Sequence, residues 1–414
     1  MRIVNFTFLI LFCAFGTLFS QDIHRQSAQP DLTQRSLYDV TPAVEIKRHM
    51  TREALPVATH ASLPAPRPTG KTNLTVDDLG TASNIYSILR PSQNQIVVDN
   101  DEKNIMFIHR NDITFFAGDN GSLRYDYSLD GGVNWTTDIG PINPQLLRPA
   151  RYPNISLCHW DSASCPPVPV YYAATLDPQP SWDGHVYGNE CDMGNVSVTE
   201  YYDFQGQTTL IPGGLCQGLP GEMWAVDYPF NDPGIKDSIF VYHGDIDTCD
   251  ASFSRHLTIQ PNFRLSSTNT YVGIGPNISF SPDGQTGWIG IVGDIVGGTD
   301  SVLNPIFFKS TDAGQTWGPA MEVDLSTNQM VVDSLQSVYV QNDGMGGLIP
   351  VSSGRPTLGG DYDITVDKDG NVHMVTVIAS AGIQDSLGNE TRDEFSIYPG
   401  LEKFVADVYT TDGG

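Results

Sequence analysis

The stretch that decides the fold is Ser128 to Trp135, which reads SLDGGVNW. The same order of a hydroxyl residue, an Asp, a Gly and a Trp recurs at Ser310 to Trp317, which reads STDAGQTW. The last five residues, Thr410 to Gly414, read TTDGG and match the first part of this pattern. Each copy follows a short apolar or aromatic run. A repeat at wide spacing is typical of a repeated β architecture.

Elementary physical chemistry gives this repeat a structural role. The Asp carboxylate accepts hydrogen bonds from backbone N–H groups just ahead of it, and Gly supplies the positive φ that a tight turn requires. The Trp offers a large apolar side chain to bury. We therefore expect turns between strands. The defining positions of the three copies are Ser128, Asp130, Gly132, Trp135, Ser310, Asp312, Gly314, Trp317, Thr410, Asp412 and Gly414.

These residues resemble the Asp-box, or bacterial neuraminidase repeat, of the sialidase superfamily. In that family the box joins the third and fourth strands of a β-propeller blade and lies away from the substrate face. The resemblance implies an all-β fold, a sialidase-like β-propeller. Asp-boxes also occur in propellers without hydrolytic activity, so the resemblance concerns the fold more than the chemistry.

A second recurring element gives the blade spacing. The extended run ending at Asp99 lies 31 positions before Asp130, and the run ending at Ser281 lies 31 positions before Asp312. Equal spacing is what a repeated four-stranded unit predicts. Two further units lack the box, and another begins near Asp363. About five blades are therefore visible, and the resemblance implies six in a complete propeller.

The chain divides into three parts. Residues 1–20 have the charged start and apolar run of a secretory signal, and residues 21–80 form a Pro/Thr-rich leader or linker. Residues 81–414 are predicted to form the propeller, incomplete at its C-terminus because the third repeat is cut. We expect a secreted or cell-surface protein. Several Asp-Ser triplets resemble an O-glycosylation motif of Bacteroidota.

The charge of the chain excludes some partners. It carries 22 Lys and Arg against 48 Asp and Glu, a formal net charge of −26. Such a surface repels nucleic acid and anionic membranes. After the signal, no run is long and apolar enough to span a bilayer. The expected partners are a glycan or a cell-surface protein.

Five cysteines follow the signal, all between residues 158 and 249. In an exported chain, disulfides are more common than metal thiolates. Two disulfides would each close one loop: Cys158 with Cys165, and Cys191 with Cys216. Cys249 would then be unpaired. Spacing alone does not fix the connectivity.

The segment from Tyr171 to Asp203 is dense in aromatic and acidic residues. Aromatic rings stack on sugars while carboxylates hydrogen-bond hydroxyls, so this mixture suits a glycan site on a long loop. The alternative is a structural insertion whose aromatics cover a neighbouring blade. The predicted ligand residues are Trp182, Asp183, His185, Tyr187, Glu200 and Tyr202.

Catalysis is less well supported than binding. Glycoside hydrolysis needs an acid and a nucleophile or base at a fixed separation. The Phe/Tyr-Arg-Ile-Pro motif of sialidases is missing, and the nearest string, Ile88 to Pro91, has the wrong order. We therefore assign no catalytic set. The sequence favours an extracellular binding or adhesion module, with a glycoside hydrolase of the exo-sialidase type as the alternative.

Two short strings bear on metals. Asp367 to Asn371 reads DKDGN, which resembles the opening of a calcium loop but lacks its later ligands, so a hairpin turn is expected there. His243 to Asp247 reads HGDID and places a His and an Asp on one strand face, which is weak evidence for a metal. We expect no metal and no cofactor, with calcium as the one ion that the sequence leaves open.

Overall fold

A computed structural model describes part of the chain, and the signal and most of the leader lie outside it. The described residues are 79–82, 93–117, 120–143, 149–160, 167–176, 182–190, 199–202, 212–228, 238–247, 250–263, 275–295, 302–335, 338–342, 348–352, 355–382, 396–397 and 403–411.

Four antiparallel sheets of four strands follow one another along the chain. Blade 1 contains β1 (Ile96–Asp99), β2 (Asn104–Arg110), β3 (Leu123–Ser128) and β4 (Thr136–Ile139). Blade 2 contains β5 (Ala150–Cys158), β6 (Val168–Leu176), β7 (Trp182–Asn189) and β8 (Thr199–Tyr202). Blade 3 contains β9 (Leu215–Gln217), β10 (Glu222–Asp227), β11 (Ile239–Asp247) and β12 (Asp250–Ile259). Blade 4 contains β13 (Asn277–Phe280), β14 (Gly287–Gly293), β15 (Asn304–Ser310) and β16 (Met321–Glu322).

A connecting segment and a fifth sheet follow blade 4. The segment holds a 3-10 turn (Leu325–Thr327), the helix α1 (Gln329–Ser334) and a hairpin of β17 (Val338–Asn342) and β18 (Leu348–Ser352). Blade 5 contains β19 (Arg355–Val366), β20 (Val372–Gly382), β21 (Ser396–Ile397) and β22 (Lys403–Tyr409), where β19, β21 and β22 all pair with β20. A search of the described residues for a helix of membrane-spanning length and hydropathy finds none.

The first strands of the five blades are neighbours in space. β5 contacts both β1 and β9, and β13 contacts both β9 and β19. The blades therefore succeed one another in chain order, with their first strands adjacent. Radial repetition of four-stranded sheets is the β-propeller architecture. The predicted all-β propeller class is confirmed.

The core lies between neighbouring blades because their strands bury both faces. On β10, Met223 packs toward blade 2 in the cluster that holds Tyr172, whereas the next residue, Trp224, packs toward blade 4 in the cluster that holds Ile289. Successive residues of a strand point to opposite faces, so this alternation follows from strand geometry. Each fully buried large apolar side chain contributes about 1.5–3 kcal/mol.

Asparagines on the first strands tie several blades together. The Asn154 carboxamide accepts a hydrogen bond from the backbone N–H of Asn94 (2.8 Å) and donates to the carbonyl of Pro212 (3.3 Å), so it bridges blades 1, 2 and 3. At the matching position of blade 4, Asn277 donates to the Asp363 carboxylate of blade 5 (2.8 Å). Both asparagines are buried, so the bonds form away from bulk water.

The two complete repeats form the same turn in two different blades. In blade 1, the Ser128 hydroxyl donates to Asp130 Oδ1 (2.8 Å), and the same oxygen accepts the N–H of Asn134 (2.8 Å). In blade 4, the Ser310 hydroxyl donates to Asp312 Oδ1 (2.8 Å), which accepts the N–H of Thr316 (2.9 Å). Both turns join the third strand of a blade to the fourth.

Hydrogen bonding has a clear electrostatic effect on these carboxylates. The N–H and carboxamide of Asn134, followed by the Ser128 hydroxyl, lower the pKa of Asp130 to about 2. The pKa of Asp312 is lowered in the same way, first by the hydroxyl and N–H of Thr316. Each carboxylate is therefore held ionised by the turn that it organises.

Two other predicted turns concern blade 5. Asp367 Oδ1 accepts the N–H groups of Asp369 and Asn371, each at 2.8 Å, between β19 and β20. The DKDGN string is thus a hairpin turn in the structure. Thr410 follows β22 and its N–H donates to the carbonyl of Val372 (3.1 Å). Asp412 and Gly414 lie outside the described residues.

Blade 2 differs from the expectation of a long inserted loop. The segment predicted as an insertion contains β7 and β8, the third and fourth strands of the blade. β7 reads WDGHVYGN, which has Gly, Asp and His where a continuous apolar run would have signalled a strand. The strand pairs with β6 and buries Val186 and Tyr187 in the two adjoining cores.

The predicted disulfides do not form in the structure. Cys158 and Cys216 are both free thiols, and Cys165, Cys191 and Cys249 lie outside the described residues. Cys158 packs in the core between blades 2 and 3, and Cys216 packs against the core between blades 3 and 4. Burial raises the pKa of the Cys158 thiol to about 12 and raises that of Cys216 further. Both behave as small apolar residues.

Candidate functional site

Two of the predicted ligand residues lie inside the protein. His185 and Tyr187 of β7 are buried between blades 2 and 3. His185 Nδ1 lies 2.6 Å from the Tyr172 hydroxyl, and its Nε2 lies 3.1 Å from Asp227 Oδ2. This Tyr–His–Asp chain is fully enclosed. In this structure these residues satisfy one another and do not present an open ligand surface.

The other four predicted ligand residues are on the same two strands. Trp182 and Asp183 begin β7, and Glu200 and Tyr202 belong to β8. Their side chains lie outside the described part of the structure. The expectation that they contact a ligand therefore stays a prediction.

An open cleft lies at the edge of blade 3, beside the end of β5. Its volume is about 420 Å³. It is formed by Trp160, which lies two residues after the end of β5, by the β9–β10 turn and by the β11–β12 hairpin. The lining residues are Trp160, Pro220, Gly221, Glu222, Asp245, Ile246, Asp247, Asp250 and Ser252.

Backbone bonds around Gly221 hold the parts of this cleft together. The Gly221 N–H donates to the carbonyl of His159 (2.9 Å), and the Ile246 N–H donates to the carbonyl of Gly221 (2.8 Å). Gly221 has a φ of +80°, and a Cβ on it would lie 3.2 Å from Trp160 Nε1. Glycine is required for this turn, and its lack of a side chain lets the indole pack against it.

Trp160 forms the aromatic wall of the cleft. Its ring is partly exposed and rests on the core between blades 2 and 3. Packing against this core holds the ring in place, and the exposed part of the ring is open to a ligand. A rigid, half-exposed indole binds the apolar face of a sugar at low cost in conformational entropy.

Four carboxylates make the cleft strongly acidic. Glu222 of β10 is directly opposite Asp245 of β11, and Asp245 is opposite Ser252 of β12. Like charges at opposite positions destabilise a sheet unless something compensates. The His243 ring lies close to both acids: its Nε2 is 3.5 Å from Glu222 Oε2 and its Nδ1 is 4.0 Å from Asp245 Oδ1.

The remaining acids belong to the hairpin. Asp247 of β11 pairs with Asp250 of β12, and the Asn189 carboxamide donates to the Asp247 carbonyl (3.0 Å). Asp250 Oδ1 accepts the N–H of Ala251 (3.0 Å). The cleft thus combines one aromatic wall with a hydrogen-bonded acidic rim, which is a chemistry suited to hydroxyl-rich ligands.

Part of this site could be predicted from the sequence. The HGDID string placed His243 and Asp245 on one strand face, and the structure brings both beside Glu222. Trp160 and Glu222 were missed. Each is a single residue in a turn or at a strand end, and no local pattern brings them together.

A second cleft, of about 370 Å³, adjoins the repeat of blade 4. Trp317, the last residue of that repeat, forms one side, with Lys309 and Met321 among the other lining residues. It contains no carboxylate pair and no buried polar set among its described lining residues. We regard the acidic cleft as the better candidate.

Comparison with known proteins adds little beyond the fold. No protein-family model and no curated protein matches the chain. The α-L-arabinofuranosidase of Fusarium graminearum in complex with arabinobiose is similar, with 11% identity, 79% of this chain and 96% of that chain covered, and a TM-score of 0.39. An endo-arabinase from Bacteroides thetaiotaomicron has 10% identity, covers 81% of this chain and 99% of its own, and has a TM-score of 0.36.

An arabinanase of Penicillium chrysogenum has 10% identity, with 75% of this chain and 84% of that chain covered and a TM-score of 0.39. Similarities of this size carry no conclusion about activity. The function is therefore argued from the residues of the acidic cleft.

Proposed function

We propose that this protein is an exported β-propeller that binds a neutral glycan in the acidic cleft. One observation carries the proposal: the partly exposed Trp160 and four acidic residues line one open cleft. Sugar rings stack on indoles, and sugar hydroxyls donate to carboxylates. A neutral oligosaccharide satisfies both parts of the cleft.

The charge of the protein supports a neutral ligand. The net charge of −26 and the acidic rim both repel an anionic sugar. Arginine, which binds a sugar carboxylate in bidentate geometry, is not among the described lining residues. A sialoside is accordingly the less suitable ligand for this cleft.

Export is part of the proposal and rests on the sequence. The charged start and apolar run of residues 1–20 are typical of a secretory signal. Mass spectrometry of the mature N-terminus from the native host would test it, and a retained Met1 would count against it.

The binding prediction is tested with a panel of neutral and sialylated oligosaccharides, including arabinan and β-1,3-galactan fragments. We expect at least one neutral glycan to bind and the Trp160→Ala variant to bind it about tenfold more weakly or worse, because a central aromatic contact is lost. Trp135→Ala is the matched control, since Trp135 belongs to the turn of blade 1 and should leave affinity unchanged.

A second candidate function is glycoside hydrolysis in the same cleft. Glu222 and Asp245 occupy directly opposite positions of adjacent strands, where Cβ atoms are about 4.5–5.5 Å apart. Retaining glycosidases use two carboxyl groups about 5–5.5 Å apart. Side chains on Cβ atoms at this separation can bring their carboxyl groups to such a spacing, so hydrolysis is the second candidate for this cleft.

The hydrolase candidate predicts release of reducing sugar from the neutral polymers of the panel. Replacing either carboxylate, by Glu222→Gln or Asp245→Asn, should lower the rate by about a hundredfold or more. The Asp101→Asn control changes an acid in the β1–β2 turn and should keep the full rate. If the wild type binds a glycan but hydrolyses none of the polymers, the binding proposal is supported and the hydrolase candidate is ruled out.

A further inference from the structure

Blade 1 carries a second polar cluster, unrelated to the acidic cleft. It consists of His109 on β2, Asp126 on β3 and Asp138 on β4. Ile108, the neighbour of His109, packs toward blade 2, so His109 points to the opposite face of the sheet. The side chains of His109 and Asp126 are 3% and 0% exposed, and that of Asp138 is 15% exposed.

The three side chains converge on one point. His109 Nε2 lies 3.4 Å from Asp126 Oδ1 and 3.9 Å from Asp138 Oδ1. One donor atom from each residue lies within 4.8 Å of the other two. Three donors at about 2.1 Å from a tetrahedral ion are separated from one another by roughly 3.4 Å. The Nε2–Asp126 distance equals that value, and the Nε2–Asp138 distance is 0.5 Å longer.

The histidine is oriented as metal-binding histidines are. His109 Nδ1 lies 3.0 Å from the carbonyl oxygen of its neighbour Arg110, to which it donates a hydrogen. A bond of this kind fixes the tautomer and leaves the Nε2 lone pair free. Nε2 is buried and has no hydrogen-bond partner within the part of the chain that the structure describes. It faces two carboxylates, so a positive species is needed between them.

A proton on Nε2 is the simplest positive species. It would form a charge-assisted hydrogen bond, for which N–O distances of about 2.7–2.9 Å are usual. Both observed distances are longer.

Backbone groups orient both carboxylates. Asp126 Oδ1 accepts the N–H of Asp138 (2.7 Å), and its Oδ2 accepts the N–H of Gly80 (3.1 Å). Asp138 Oδ1 accepts the N–H of Thr81 (2.9 Å). A Cβ on Gly80 would lie 2.4 Å from Asp126 Oδ1 and 2.8 Å from Asp138 Oδ1, so only glycine fits against the pair. The residues before the propeller thus close the site.

We infer that His109, Asp126 and Asp138 bind a divalent transition-metal ion, Zn²⁺ being the one that a single imidazole with two carboxylates suits best. Because Gly80 and Thr81 bind the same carboxylates, the ion would fasten residues 79–82 to the outer face of blade 1. Its role is structural and independent of any ligand in the acidic cleft.

The test measures metal directly. The purified full chain, stripped with a chelator and dialysed against Zn²⁺, should retain one equivalent by mass spectrometry of the element. His109→Ala and Asp138→Asn should each weaken Zn²⁺ binding by more than about tenfold. His373→Ala is the matched control, because His373 also lies beside two aspartates, Asp407 at 2.9 Å and Asp367 at 3.8 Å, but is far more exposed.

A second readout does not depend on the variants folding. Zn²⁺ should slow hydrogen exchange at Gly80 and Thr81 in the wild type, and the exchange of β14 should stay unchanged. The inference is overturned if the wild type retains no Zn²⁺ at micromolar free metal. It is equally overturned if the folded Asp138→Asn and His109→Ala proteins retain Zn²⁺ as the wild type does, since the ion would then be bound by other residues.

Discussion

Single carboxylates organise the turns of this protein. Asp130 and Asp312 each accept bonds from a hydroxyl and from backbone N–H groups four residues on, so one side chain closes a whole turn. Both are surface groups. Their role at this scale is structural, and the residue types alone were sufficient to predict it.

The lowered pKa of Asp130 makes a testable prediction. Because the folded pKa, about 2, is below the usual value, the stabilisation by this carboxylate is present above the unfolded pKa near 4 and is lost as pH falls through 2. Carboxyl-carbon NMR should show Asp130 titrating near pH 2. Asn134→Ala removes the carboxamide bond but keeps the backbone N–H bond, which is the largest cause, so it should raise the pKa of Asp130 only in part. Titration of Asp130 near pH 4 in the wild type would contradict the turn.

At the scale of the element, the asparagines of the first strands connect neighbouring blades through residues that are distant in sequence. Asn154 and Asn277 each follow a Pro and precede Ile-Ser, so the same tetrapeptide occurs in blades 2 and 4. Strand hydrogen bonds hold each sheet internally, and these carboxamides hold neighbouring sheets to one another near their first strands.

Removing one of these carboxamides should destabilise the fold. Asn277→Ala removes the carboxamide donor to Asp363, which keeps the N–H of Ile364 (2.9 Å), and opens a buried position. This should cost about 1–3 kcal/mol in the free energy of unfolding. Urea denaturation measures this cost. Asn134→Ala, on an exposed turn, should cost less than about 1 kcal/mol. Equal losses for both variants would show that Asn277 does not join blades 4 and 5.

The sequence predicted the strands whose apolar runs are continuous, and it failed for a strand whose apolar residues are interrupted by polar ones. β14 and β20 are of the first kind. β7 is of the second kind, because its Gly, Asp and His hide the alternation. The cysteine pairing failed for a different reason: spacing does not show that Cys158 and Cys216 each pack in or against an interblade core as free thiols.

The acidic cleft could be predicted only in part. The His243 and Asp245 alternation is local and visible in the sequence, but Trp160 and Glu222 join it through contacts between blades 2 and 3. The three-residue cluster of blade 1 was likewise invisible, since His109, Asp126 and Asp138 belong to three strands. Long-range contacts of this kind follow from topology and not from pattern.

At the scale of the whole molecule, the residues that hold the propeller together are different from those that line the acidic cleft. The repeats lie at turns between third and fourth strands, the asparagines tie the first strands, and the acidic cleft opens at the edge of blade 3. The acidic surface repels anionic partners, which is why we propose an uncharged, hydroxyl-rich ligand. The fold by itself is compatible with many functions, so the proposed function rests on the residues of the cleft.

Calorimetric titration of the tightest neutral glycan of the panel into the wild type and the Trp160→Ala and Trp135→Ala variants tests the central claim most directly. We predict saturable binding to the wild type and the Trp135→Ala control, and about tenfold weaker or no binding to Trp160→Ala. Equal affinity of all three proteins, or binding of sialylated glycans alone, would contradict the assignment of the acidic cleft as the ligand site.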